Sequence, residues 1–229
     1  YGFQAGNGDP FTYPPFAALL FLPFGLLPEA VVGVIWTAAT FVAFVLLARV
    51  VVTRWRPGRP ADQAMWVWGC AIGLLVSAPG QSNVRFGQVS VFVVLLALID
   101  AVGAVPARWR GVLIGVAAAI KLTPLLFIGH LVLTGRRRDA ARAGCAFAGA
   151  AAAAAIVLPQ ASWTYWTSTA FATSRIGDLL ALGNQSVNGI LLRAGVQDPW
   201  LKLVWRAVVL LVCASGLWRA RTLHCAGLT

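Results

Sequence analysis

The chain has 229 residues, 59% of them hydrophobic and 11% charged, against roughly 25% charged in an ordinary soluble domain. With a mean hydropathy of +0.80, a soluble globular protein is excluded, because it would expose large apolar patches to water. The formal charge of +11 does not indicate a nucleic-acid partner. Twelve of the 18 basic residues fall into four clusters: Arg49/Arg54/Arg56/Arg59, Arg108/Arg110, Arg136/Arg137/Arg138/Arg142 and Arg219/Arg221. Each cluster ends an apolar run, as cytoplasmic loops do under the positive-inside rule, whereas a nucleic-acid binder gathers its charge on one soluble face.

In chain order, YGFQAGNGDPFTYPP has no initiator Met and no basic start followed by an apolar core, so it is not a signal peptide. The chain is expected to be a fragment cut at the front, and at the back as well. Residues 14–28 are apolar but short and broken by proline, which predicts an interfacial or re-entrant helix, with Pro15 in a first turn where its missing N–H costs nothing. A membrane helix needs ~20 mostly apolar residues. Spans are expected at 30–52, 65–79, 89–105, 112–134, 143–158 and 200–218, with an outer loop over 159–199. Asp100 lies late in the third span and is expected to reach the interface.

The run over 112–134 has basic residues at both ends, ARWR and GRRR. Orientation therefore predicts two half-helices broken near Lys121-Leu122-Thr123-Pro124, since Pro124 removes a donor and disfavours helix at Thr123. Such breaks occur only where they are buried in protein or line a wet cavity. The Ala-rich run 143–158 suits close helix packing, and Trp163, Tyr165 and Trp166 read as an interfacial belt. The sides then alternate, with the polar segments outside and the arginine clusters inside. The fold class is an all-α polytopic membrane protein, a single transmembrane domain over 1–229 with a broken or re-entrant helical hairpin.

Few residues can carry chemistry. Lys121 sits at membrane depth, where an uncompensated charge costs several kcal/mol. It either holds an anionic group such as phosphate or snorkels to a neighbouring helix. Arg85 and Gln88 stand at the outer end of a span. Arginine grips phosphate or carboxylate with a planar fork, and the helix starting after Gly87 would present free N–H groups to an anion. The alternative is an arginine among lipid headgroups. Asn184, Gln185, Ser186 and Asn188 suit sugar hydroxyls, but equally a plain turn with Asx-type bonds. Asp9 is either a catalytic carboxylate or a solvated loop residue. His130 and His224 are assigned no role. The four cysteines lack metal-ligand spacing, so neither a metal nor a disulfide framework is expected. Motifs of nucleotide hydrolases, zinc proteases and serine hydrolases are missing.

Four stretches occur in order: FTYPPFAALLFLP at 11–23, FGQVSVFVVLLALID at 86–100, GVAAAIKLTPLLF at 115–127 and GNQSVNGILLR at 183–193. Together they resemble glycosyltransferase family 87, the polyprenol-phosphate-mannose-dependent mannosyltransferases, over nearly the whole chain. The resemblance implies a GT-C type bundle of membrane helices in the plasma membrane. Its partners would be membrane lipid, a polyprenyl-phosphate-linked sugar donor and a glycolipid or lipoglycan acceptor on the extracytoplasmic side. No cofactor is implied, the lipid-linked sugar being substrate. Tyr13, Arg85, Gln88, Lys121, Asn184 and Gln185 match as pocket residues for donor phosphate and sugar. The family's catalytic acid is expected upstream of residue 1, leaving Asp9 as the carboxylate before FTYPP. The competing readings are a transporter or lipid-carrier protein, since a broken helix with a central charge also suits transporters, and an inactive piece of the enzyme.

Overall fold

The computed structural model describes residues 11–56, 58–171, 179–180 and 184–225, and they form helices joined by turns, with no strand among them. Contacts divide the chain into two units. The first comprises residues 13–128 and 137–162; the second comprises residues 1–12, 129–136 and 163–229.

The first unit opens with α1 (Pro15–Phe21) and a 3-10 turn (Leu22–Leu26). This segment is too short to cross a bilayer, as its prolines predict. It does more than lie on a surface, because Pro15 and Ala17 are buried and α1 packs on later helices. Next, α2 (Glu29–Trp55) is a continuous apolar helix. It is followed by α3 (Pro60–Val76), which begins five residues before the expected span because Pro60 supplies a ready-made first turn.

The polar stretch after it is itself helical. It forms α4 (Ala78–Arg85), bent by 68° from α3. Ser77 makes the corner: its hydroxyl donates to the Leu74 carbonyl at 2.6 Å and accepts from the Gly80 N–H at 3.2 Å, an N-cap.

The helix α5 (Ser90–Ala101) stops four residues before the expected span. Gly103, at φ +72, closes it: the Gly103 N–H bonds to the Asp100 carbonyl and the Ala104 N–H to Ile99, an arrangement that needs a left-handed residue. Then come α6 (Val112–Ile120), α7 (Leu125–Leu133), which from Gly129 on belongs to the second unit, and α8 (Arg137–Val157). The break expected within 112–134 is thus present at residues 121–124. At the start of α8, Asp139 in the first turn suits the helix dipole and pairs with Arg142 at 3.0 Å, so helix extends six residues ahead of the expected span.

Asp100 does not reach the interface as expected. It is fully buried, and its carboxylate accepts from the N–H groups of Gly111 (2.8 Å), Leu113 (3.0 Å) and Ile114 (3.2 Å). It therefore caps α6 from the preceding helix, satisfying N–H groups that α6 cannot satisfy itself. The same end is tied to α8 by Arg142, which donates to the Ala107 carbonyl at 2.9 Å.

The core runs through α5 and α6. Ala43 and Phe44 of α2 pack with Val91 and Leu95 of α5, and α6 is buried along most of its length. Helix α6 lies against α8 at backbone contact: a side chain on Gly115 would collide with the Ala143 carbonyl and the Ala146 methyl. Small residues permit that approach in a lipid environment, where dispersion rather than water drives packing. Gly115→Leu should therefore separate α6 from α8 and cost about 3 kcal/mol or more. A thermal midpoint in detergent equal to wild type would refute the close fit.

In the second unit, the expected outer loop contains α9 (Pro159–Thr167, begun in the first unit), α10 (Val187–Arg193) and two short turns, and α11 (Trp200–Cys225) follows. Of the expected aromatic belt, Trp163 is 73% exposed but Tyr165 is buried and meets Trp166 edge-to-face. Among the described residues, three helices are long and apolar enough to span a membrane: α2, α8 and α11 to Leu223; the α3–α4 pair makes a fourth if it counts as one broken span. Large apolar side chains such as Val34 and Leu210 point outward from them, as suits lipid. The protein is an all-α membrane protein.

Candidate functional site

Three of the sequence segments meet in the first unit. Lys121 ends α6 in an extended conformation, its N–H still bonded to the Ala117 carbonyl. Pro124 follows and cannot donate to the carbonyl four residues back, so helix cannot continue through it. The freed lysine side chain crosses to α5. Its Nζ donates to Ser90 Oγ at 3.0 Å, and Ser90 Oγ donates in turn to Gln88 Oε1 at 3.3 Å. The ammonium lies 5.9 Å from the centroid of the Tyr13 ring, at the outer limit of a cation–π contact. Tyr13, Gln88, Ser90 and Lys121 thus form one chain of contacts, contributed by FTYPP, FGQVS and KLTP.

The electrostatics are one-sided. Lys121 is half-buried, and no carboxylate pairs with it among the described residues. The acids near other charges are committed elsewhere: Asp139 to Arg142 and Asp198 to Lys202. A half-buried ammonium bound only to a neutral hydroxyl retains two N–H donors for a further group. The Gln88 amide, whose oxygen accepts from Ser90, also keeps its NH₂ for such a group. Burial pushes the Tyr13 phenol above its usual pKa, and a hydrogen bond with the Val89 backbone pulls the other way. The phenol therefore stays protonated at neutral pH. This is a cluster of donors around a cation, the arrangement that recognises a phosphate or another anion.

The N-terminus of α5 is less open than the sequence suggests. Asn83, buried on α4, accepts the Val91 N–H at 3.2 Å, and Val89 is engaged by Tyr13. The protein itself fills part of the expected anion cradle. Arg85 stands apart from the chain of contacts. It is exposed on the last turn of α4, with its guanidinium 5.5 Å from the Phe86 ring centroid.

Asn184 and Gln185 belong to the second unit. Asn184 Oδ1 accepts the Ser186 N–H at 3.1 Å, its Nδ2 donates to the Leu179 carbonyl at 3.1 Å, and its own carbonyl accepts from Arg193 at 2.9 Å. These bonds make the Asx-type turn that leads into α10, where Ser186 caps Gly189. Gln185 is exposed. Asp9 lies outside the described residues.

Sequence reasoning missed Ser90, which bridges Lys121 to Gln88, and Asn83, which caps α5. The signal for Ser90 was its place two residues after Gln88, at a predicted helix start. Asn83 carried no such signal, because its partner lies eight residues on. Reasoning also missed an apolar cavity of about 380 Å³ beside Gly87, lined by Phe21, Phe24, Val32 and Trp36, with Glu29 at its wall. Trp36 anchors it through edge-to-face contacts with Phe21, Phe24 and Phe92.

The chain is 33% identical to a polyprenol-phosphate-mannose-dependent alpha-(1-2)-phosphatidylinositol mannoside mannosyltransferase of Mycobacterium tuberculosis, over 97% of this chain and 54% of that protein. The protein of the same description from Mycolicibacterium smegmatis is 32% identical, over 95% of this chain and 52% of its own length. A pentamannoside mannosyltransferase of Mycolicibacterium smegmatis is 33% identical, over 87% and 51% respectively. The chain spans about half the length of these curated relatives. No solved structure matches it. The sequence model of glycosyltransferase family 87 matches residues 11–228, and the chain belongs to that family.

Proposed function

We propose that the full-length protein transfers a hexose, in our reading mannose, from a polyprenyl-phosphate donor to a glycolipid acceptor of the phosphatidylinositol-mannoside type. The reaction would take place at the extracytoplasmic face of the plasma membrane. The observation that carries this reading is Lys121: a cation without a carboxylate partner among the described residues, half-buried at a helix break, held by the Ser90 hydroxyl beside the Gln88 amide and the Tyr13 ring. In a transfer from a lipid phosphate, negative charge grows on the leaving phosphate. A fixed ammonium beside it stabilises the transition state more than the ground state. Arg85 is assigned to the same anion. The apolar cavity beside Gly87 favours a lipid-linked donor over a water-soluble one. No cofactor is required in this reading. The acceptor hydroxyl needs a base, and we assign that role to a carboxylate upstream of FTYPP.

The test uses membranes containing the full-length protein and labelled polyprenyl-phosphate mannose. Label should move to a lipid acceptor. If label stays on the donor while a labelled solute accumulates inside vesicles, the protein is a transporter and the proposal fails.

A further inference from the structure

The paired ends of α2 and α3 hold a second amphipathic site, away from Lys121. A groove of about 350 Å³ runs between the two helices. Its α2 wall is Val45, Arg49 and Thr53, residues four apart and therefore stacked on one face. Its α3 wall has Gln63 at the loop end and Val67 and Trp68 deeper along the helix. The groove thus changes character along its length: polar and cationic near the loop, apolar toward the middle of the helices.

Arg49 is the notable group. It lies six residues before the end of α2 at Trp55, about 9 Å along the helix axis at 1.5 Å per residue, and so below the loop rather than in it. Among the described residues its side chain has no ion pair. Its carbonyl accepts from the Thr53 hydroxyl at 2.8 Å, and the guanidinium is a donor that lines the groove. Gln63 spends one amide hydrogen on the Arg56 carbonyl at 3.3 Å and keeps the other. Nearby charge is overwhelmingly of the same sign. Arg54, Arg56 and Arg59 lie near the groove in sequence, Arg56 stacked 4.1 Å from the Trp66 ring centroid, and the one nearby acid, Asp62 in the first turn of α3, lines the adjoining cavity rather than the groove. A positive potential focused at the mouth of an apolar slot matches one ligand chemistry: an anionic headgroup on an acyl chain.

We propose that this groove is a binding site for an anionic glycerophospholipid. Arg49 and Gln63 hold the headgroup phosphate, and one acyl chain lies along Val45, Val67 and Trp68. The bound lipid neutralises the Arg49 guanidinium, and it wedges α2 against α3.

The test is native mass spectrometry of the detergent-purified full-length protein, titrated with dioleoylphosphatidylglycerol or with dioleoylphosphatidylcholine. The tails are the same and only the headgroup charge differs. Phosphatidylglycerol should bind more tightly. Arg49→Gln should weaken it about tenfold, as expected for losing one charge-assisted contact, while Arg59→Gln, in the same cluster but off the groove wall, leaves it within about twofold. Should Arg49→Gln fail to fold, Ala64→Leu, which fills the groove from α3, should give the same loss. Equal binding of the two lipids, or equal weakening by Arg49→Gln and Arg59→Gln, overturns the proposal in favour of unspecific surface charge.

Discussion

Replacing Lys121 with alanine in the full-length protein should lower mannosyl transfer by about two to three orders of magnitude, the loss typical when one preorganised stabiliser of developing charge is removed. The protein should still insert and fold. An ammonium at membrane depth carries a desolvation penalty, so its removal should leave the thermal midpoint unchanged or raise it. That combination separates a catalytic role from a structural one. If Lys121 only anchors Ser90 through their 3.0 Å bond, then Ser90→Ala should reproduce the Lys121→Ala rate, and both should destabilise. If the ammonium acts on the donor phosphate, Ser90→Ala should cost far less than Lys121→Ala, and Lys121→Arg should recover part of the rate. Wild-type turnover in Lys121→Ala would end the assignment.

The largest loss of stability is expected at Asp100. Substitution by alanine leaves the N–H groups of Gly111, Leu113 and Ile114 without their acceptor in a buried position. Each buried donor left unmade costs about 1–3 kcal/mol. The three share one carboxylate and will not add fully, so the total should be about 3–5 kcal/mol. Asp100→Asn keeps one carbonyl acceptor and should fall between. Thermal unfolding in detergent gives the order wild type, Asn, Ala. A profile for Asp100→Ala that overlays wild type would mean that water or another group takes over the cap. Because Asp100 lies at the end of α5 opposite Ser90, transfer by any Asp100→Ala protein that remains folded should keep its dependence on donor concentration. The two predictions therefore pull apart: one variant loses rate without stability, the other stability without a change in donor binding.

How much of this was legible can be traced residue by residue. The break at Lys121 could be read because its causes are local: a proline and a charge inside an apolar run. The membrane class could be read because composition over 229 residues admits no other solution. Asp100 was misread as interfacial because only its distance from the loop was visible, while its partners lie 11 to 14 residues ahead on another helix. The bend at Ser77 was hidden for a similar reason. A serine before Ala-Pro-Gly reads as a turn, and whether helix resumes after the turn depends on the cap that Ser77 makes. The double use of Asn184, in a turn and against Arg193, also needs the folded chain, since Arg193 is nine residues away.

The sequence by itself determined the membrane class, the helical content, the break before Pro124 and the set of motifs that marks the family. All of these follow from composition, periodicity and residue type over a few positions. Only the tertiary structure decided which polar groups meet. Lys121 could have turned to lipid headgroups, to an acid or to α5, and it turned to Ser90 and Gln88 because α6 packs between α5 and α8 through Gly115 and its alanines. Tyr13, Gln88, Ser90 and Lys121 came together for that reason, while Arg85 stayed apart and Asp100 was drawn inward to cap the helix that carries the lysine.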